Sequence, residues 1–252
     1  KGEALRYFLF FVLFLAGCRG ITPPPEFTFQ TIQTDTFSLA AWSKLQTPDK
    51  PVKIYIEGDG RAFDIDGQPT SDPTPRGTML REIAFGDTHP NVVYLGRPCQ
   101  FVTNAACRQK YWTTARFAPE VIDAEAEAIR FFAQNRPVTL VGFSGGAMVA
   151  ALIAATRPEI NVAKVITVSG NLDHQAWTAY HKLPSLSDSL NLPNYMSSFS
   201  LIPQYHYVGS DDDNIPPALT RRIIGNPRLI REVKGAGHGS GYRDVYGEIR
   251  AQ

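Results

Sequence analysis

Residues 142–146 read Gly-Phe-Ser-Gly-Gly, so Ser144 stands between glycines that let two backbones pass closely. The β-branched, apolar run Val138-Thr139-Leu140-Val141 precedes it, and a small-residue run that reads as a helix follows to Thr156. In a strand, sharp turn and helix, a serine of this pattern is held in a strained turn with its hydroxyl exposed; outside that setting, glycines around a serine make an ordinary turn. A serine hydroxyl is a poor nucleophile until a base within hydrogen-bond reach takes its proton, and a third group must hold that base in one tautomer. Histidine is the side chain that does this near neutral pH. Downstream, Gly235-Ala236-Gly237-His238-Gly239 presents a histidine in a glycine-rich loop, and Gly209-Ser210-Asp211-Asp212-Asp213-Asn214-Ile215-Pro216 offers carboxylates. The order along the chain is Ser, Asp, His.

These loops need elements to position them. Residues 27–33 and 37–42 alternate around a Thr-Asp break and predict a leading hairpin. Strands are predicted over 52–56, 91–95, 163–168, 205–208 and 229–233, with a helix over about 78–85. Between 117 and 134, Phe117, Val121, Ile122, Ala126, Ile129 and Phe132 recur at three and four, with Pro119 in the first turn, which predicts an amphipathic helix. Strands alternating with helical patterns predict an α/β domain with a mostly parallel sheet and helices on both faces. In such sheets ligands sit beyond the carboxyl ends of the strands, where all three motifs fall. Residues 172–203, rich in Leu, Ser, Asn and Pro and holding Trp177, Tyr180, Tyr195 and Phe199, are too long for a plain connection. They are expected to be an inserted cap with short helices; surface elaboration packed on the domain is the competing reading.

With Ser, Asp and His in that order, the chain from about residue 52 to 252 resembles the α/β-hydrolases. Two C-terminal patterns carry the likeness besides the serine turn: Gly-x-x-Asp-x-x-Ile-Pro over 209–216 and Gly-x-Gly-His over 235–238. The resemblance implies Ser144 as nucleophile, Asp212 as the orienting acid and His238 as the base. It also implies an oxyanion hole made by the amide of Gly145 and a second amide from Gly58-Asp59-Gly60, either Asp59 or Gly60. The chain departs from the family pattern there, with Glu57 where the family often has histidine. Glu57 and Asp59 are expected to be structural, bound to nearby loop amides or to Arg61. His89, His174, His181 and His206 are expected in surface or core packing, although His174 could line the pocket. The three aspartates lack the alternating ligands and late glutamate of a calcium loop. No metal and no cofactor is implied.

The 252 residues carry 25 Lys and Arg against 24 Asp and Glu, a formal net charge of +1 that gives no basic field for nucleic acid. Lys1 and Arg6 precede an apolar run over 7–16, which has the length of a signal h-region. Leu15-Ala16-Gly17-Cys18 closes it and resembles the lipobox of bacterial lipoproteins. That likeness implies removal of residues 1–17, lipid on Cys18 and a membrane anchor. With Arg19 next, the family's sorting rule points to the periplasmic face of the outer membrane; a plain secretory signal is the alternative. Residues 18–26, with Pro23-Pro24-Pro25, read as a stiff spacer before the domain at 27–252. In an oxidising compartment the remaining Cys99 and Cys107 are expected to form a short loop staple, with two buried thiols as the alternative.

The sequence therefore points to a lipid-anchored, monomeric serine hydrolase of the bacterial envelope acting on a small-molecule ester or acyl substrate. The rival is a non-catalytic envelope protein of the same fold that binds a ligand or a protein.

Overall fold

The computed structural model of the chain describes residues 21–252. Cys18 and the leader at 1–17 lie outside the described residues. The sheet has eight strands: β1 (Thr28–Gln33), β2 (Ser38–Leu45), β3 (Val52–Ile56), β4 (Asn91–Leu95), β5 (Val138–Phe143), β6 (Val162–Val168), β7 (Gln204–Gly209) and β8 (Ile230–Val233). Their order is β1-β2-β4-β3-β5-β6-β7-β8. β1 and β2 form the leading hairpin, β2 runs antiparallel to β4, and every pair from β4 to β8 is parallel. β3 and β4 are buried along their whole length, as expected for strands covered on both faces.

The period of two decides which side chains go to which layer. Leu39, Ile54, Ile56, Val93, Leu95 and Leu140 face one layer, beneath α2 (Pro119–Ala133) and α3 (Gly145–Thr156). Trp42, Tyr55, Tyr94, Val141, Ile166 and Tyr207 face the other, beneath α1 (Met79–Phe85) and α7 (Tyr246–Ala251). α2 starts with Pro119 in its first turn and stops at Gln134, whose φ of 48° is left-handed. The aromatic layer also holds a buried polar cluster in which Asp87 accepts from Tyr55 Oη at 2.6 Å and pairs with Lys53 Nζ at 3.2 Å. Such burial is tolerated because each group has its partner.

Residues 172–203 divide into two parts. α4 (His174–His181) is capped by Asp173, whose side chain accepts from the Ala176 amide at 3.0 Å, and it carries Trp177 toward the carboxyl ends of the strands. Further on, Leu186, Leu192 and Phe199, the last in α5 (Met196–Phe199), are buried in the same layer as α3. Only the first part is therefore a wall of the cleft; the second extends the core. α6 (Pro217–Ile224) and α7 are not among the helices expected from the sequence.

Cys99 and Cys107 are joined as a disulfide, with Cα atoms 5.6 Å apart, and close the loop that follows β4. Within it Gln100 donates to Gly58 O at 2.9 Å and accepts from the Arg97 amide at 3.1 Å, so the staple holds a support of the β3 exit. The chain-entropy estimate for so short a loop is about 2–3 kcal/mol. Cys107→Ser should lower the unfolding free energy by about that amount in urea titration; an unchanged midpoint would mean that the bond adds nothing to the fold.

Candidate active site

Between β5 and α3, Ser144 has φ 52° and ψ −119°, a conformation that costs on the order of 1–3 kcal/mol for a non-glycine residue. Its neighbours make the turn possible. A Cβ on Gly142 would stand 2.4 Å from Gly146 O and push α3 off β5, and one on Gly146 would stand 2.3 Å from Ile56 O and push α3 off β3. The Ser144 amide donates to Val168 O at 3.1 Å and its carbonyl accepts from the Asn171 amide at 3.0 Å, which ties the turn to the end of β6.

Two further strand exits meet the hydroxyl. His238, in the loop after β8, places Nε2 2.9 Å from Ser144 Oγ and Nδ1 3.0 Å from Asp212 Oδ2. Asp212, after β7, has a fully buried carboxylate whose Oδ1 accepts from the Asn214 amide at 3.0 Å and the Ile215 amide at 2.8 Å. Asp211 and Asp213 are exposed, and Asp211 accepts from Ser210 Oγ at 2.6 Å. Of the three adjacent acids only Asp212 reaches the ring. The Phe143 ring lies 5.3 Å from that of His238 and shields one side of it. A histidine bonded in this way can take the serine proton through Nε2 while Nδ1–H stays on the carboxylate.

The β3 exit lies against the turn. The amides of Asp59, Gly60 and Gly145 donate no hydrogen bond to any described residue, which leaves them available to an incoming oxyanion. The Asp59 side chain packs directly on Gly145, since a Cβ there would fall 2.0 Å from Asp59 Oδ1. Arg61, expected as a partner of these acids, holds neither. Asp59 instead pairs with Arg116 Nη1 at 2.7 Å and Arg97 Nη1 at 3.5 Å, both guanidinium groups being buried. Glu57 is buried as well; its Oε1 accepts from the Gly58 amide at 2.8 Å and its Oε2 accepts from Tyr94 Oη. Burial raises its pKa, and those two hydrogen bonds oppose the rise.

Sequence reasoning missed Arg97 and Arg116, because each comes from a loop far along the chain and no local pattern pairs it with Asp59. Arg97 continues the network inward, with Nε 3.4 Å from Glu125 Oε1 and its guanidinium 5.4 Å from the centre of the Phe117 ring. Glu125 is completely buried on α2, and its pKa is pushed up to about 8 by burial, which outweighs the attraction of Arg97.

Ser144 and His238 open into a cavity of about 590 Å³. Arg61, Arg76 and Arg116 line it, together with Phe63, Trp177 and Met79. A second, mostly apolar cavity of about 510 Å³, lined by Leu183, Pro184 and Leu186 among others, shares Phe63, Arg116 and Trp177 with the first. The other histidines lie apart from the reaction cleft. His174 is buried with its ring stacked on Phe117 at 6.0 Å and does not line the cavity. His206 sits inside the sheet, its pKa pushed down to about 3 by burial; His181 bonds Asn214 O at 2.7 Å and His89 bonds Asn91 O at 3.0 Å. Among the described residues no group of His, Cys, Asp and Glu could hold a metal ion, and the aspartates at 211–213 form no such group.

No protein-family model matches the sequence, and no curated protein matches it. Solved structures do. An esterase of Pyrococcus furiosus superposes with a TM-score of 0.61 at 16% identity, over 92% of this chain and 94% of that one. A serine hydrolase without a lid from Xanthomonas campestris gives 0.55 at 13% identity, over 92% and 95%. The thioesterase domain of the curacin biosynthetic pathway gives 0.58 at 14% identity, over 89% and 98%. With the sheet order above, these likenesses establish the α/β-hydrolase fold.

Glu125 offers a test of the inner network. In the unfolded chain its carboxyl loses its proton near pH 4.3, whereas in the folded chain it keeps it to about pH 8. Its contribution to stability is therefore fully present below about pH 4.3 and is lost, at up to about 1.4 kcal/mol per pH unit, as pH rises toward the folded value. Glu125→Gln should remove that slope, so its unfolding free energy gains on the wild type between pH 5 and about 8. Parallel curves would show that Glu125 is ionised in the fold.

Proposed function

We propose that the chain is a serine hydrolase that cleaves a carboxylic ester, with amide bonds as a further substrate class, through an acyl-enzyme. The observation that carries this reading is the pair of hydrogen bonds of His238, at 2.9 Å to Ser144 Oγ and 3.0 Å to Asp212 Oδ2, made by three separate strand exits at one cavity. A binding module has no need of a base beside a strained serine. The esterase and thioesterase named above, which share the fold, support the same substrate class.

In the proposed reaction Ser144 Oγ attacks the ester carbonyl as His238 Nε2 takes its proton. The tetrahedral oxyanion accepts from the Gly145 amide and from Asp59 or Gly60. Collapse breaks the bond to the leaving alkoxide, which takes the proton from His238, and the acyl group stays on Ser144. Water then attacks the acyl-enzyme, losing a proton to His238, and collapse breaks the acyl–Oγ bond, so that Ser144 Oγ takes that proton back and the acid is released. Asp212 holds the ring in the tautomer that leaves Nε2 free to accept.

Three expectations follow from the geometry. Ser144→Ala and His238→Ala should each remove nearly all hydrolysis of 4-nitrophenyl esters, and Ser144→Ala should also abolish labelling by a fluorophosphonate. Wild-type protein that takes no label, or a Ser144→Ala variant that keeps full activity, would refute the hydrolase reading. Asp212→Asn should lower kcat by about 10⁴, the loss seen in the serine-protease template when an amide favours the wrong tautomer. Asp211→Asn and Asp213→Asn should cost less than about tenfold, and a larger loss at either would reassign the orienting acid.

We also propose that Cys18 carries lipid and anchors the domain at a bacterial envelope, on the strength of Leu15-Ala16-Gly17-Cys18 behind a charged, apolar leader. Cys18→Ser should abolish incorporation of labelled palmitate in cells. Undiminished incorporation by that variant would remove the anchor from the account.

A further inference from the structure

The cavity above Ser144 holds more positive charge than the proposed chemistry uses. Arg116 is committed to Asp59, with its guanidinium 5.5 Å from the centre of the Phe63 ring and 5.9 Å from that of Trp177. Arg61 and Arg76 line the same cavity, and the guanidinium groups of both lack any hydrogen-bond or ion-pair partner among the described residues. The two lining carboxylates do not offset them: Asp59 lies between two buried guanidinium groups, and Glu57 is bonded to Tyr94 and the Gly58 amide. Nor is the charge a sample of a basic surface, since the whole chain has a formal net charge of +1.

Both arginines are held on a braced loop between β3 and α1. The Arg61 amide donates to Pro73 O at 2.9 Å, the Thr70 amide donates to Ala62 O at 3.1 Å, and the Phe101 amide donates to Thr74 Oγ1 at 2.8 Å. The loop is thereby cross-linked to itself and to the segment closed by the disulfide, which fixes the backbone at Arg61 and, two residues before Arg76, at Thr74. A cleft with apolar walls such as Phe63 and Trp177 focuses such charge on whatever enters it.

We propose that the substrate of this hydrolase carries an anionic group apart from the scissile ester, a carboxylate or a phosphate, which Arg61 and Arg76 bind. The planar guanidinium fork matches either oxyanion, and its charge-assisted hydrogen bonds are stronger than neutral ones. The inference rests on the hydrolase reading and adds the charge class of the substrate to it.

The test compares three 4-nitrophenyl esters: the mono-ester of adipic acid, its neutral methyl ester, and the corresponding phosphonate-bearing acyl ester. Release of nitrophenol is measured as kcat/KM after subtraction of the Ser144→Ala rate. The wild type should favour at least one acidic ester over the neutral one by about tenfold or more, and the better of the two acidic esters tells carboxylate from phosphate. Added salt should shrink the preference. The Arg61→Gln, Arg76→Gln double variant should bring the acidic-to-neutral ratio close to one, whereas Arg228→Gln, an exposed arginine outside the cavity, should leave the ratio as in the wild type. Because each ratio is taken within one protein preparation, partial loss of folded variant does not alter it. Wild-type turnover without a preference for either acidic ester, or a preference kept by the double variant, would overturn the proposal and leave the hydrolase reading in place. Absence of Ser144-dependent turnover of all three esters would overturn both.

Discussion

The constraint on which the site depends is the single-residue reversal at Ser144. Its positive φ is held only because β5 enters the turn and α3 leaves it with no side chain at Gly142 or Gly146. A Cβ at Gly142 would separate α3 from β5 and one at Gly146 would separate it from β3, and α3 is a helix buried over most of its length. Local strain is thus offset by a core in which Met148, Val149, Leu152 and Ile153 are fully buried. Once the turn is set, the exits of β3, β6, β7 and β8 lie around one hydroxyl, because parallel strands end on the same side of the sheet.

Charge around that hydroxyl is arranged by partners that come from elsewhere in the chain. Asp212 is buried yet satisfied by two backbone amides and the His238 ring. Asp59, pressed on Gly145 where a proposed oxyanion would form, would oppose that negative charge if it stood alone; Arg97 and Arg116 compensate it. Arg97 alone continues from the cleft to Glu125, buried on α2. A buried guanidinium shared among acids and stacked over Phe117 costs a great deal if any one partner is lost, so the inner network and the cleft rim behave as one electrostatic unit.

Likeness to solved structures at 13–16% identity over nine-tenths of the chain shows how little of the sequence the fold requires. What it requires is a pattern: two-sided apolar strands in the centre, glycines at the turn, and helices whose apolar faces meet each side of the sheet. On the proposed function, substrate selection would be left to segments outside that pattern. Here these are the loop from β3 to α1, which supplies Arg61 and Arg76, and α4, which supplies Trp177. The two cavities share Phe63, Arg116 and Trp177 as lining residues.

Much of this was legible in the sequence. Strand and helix patterns placed β1, β3, β4, β6, β7, β8, α1 and α2 within two residues, because a period of two or of 3.6 over several residues is a local property. Ser144 and His238 were marked by the glycines their turns demand, and Asp212 by a family-like spacing among three otherwise equal acids. The short helices α6 and α7 were not anticipated, and the segment 172–203 did not reveal that its second half joins the core. Nor could the sequence pair Asp59 with Arg97 and Arg116, 38 and 57 residues away, in place of nearby Arg61. Ion pairs of that separation are fixed by where loops land after the sheet has formed, and only the tertiary structure decides which charges are compensated and which are left facing the cavity.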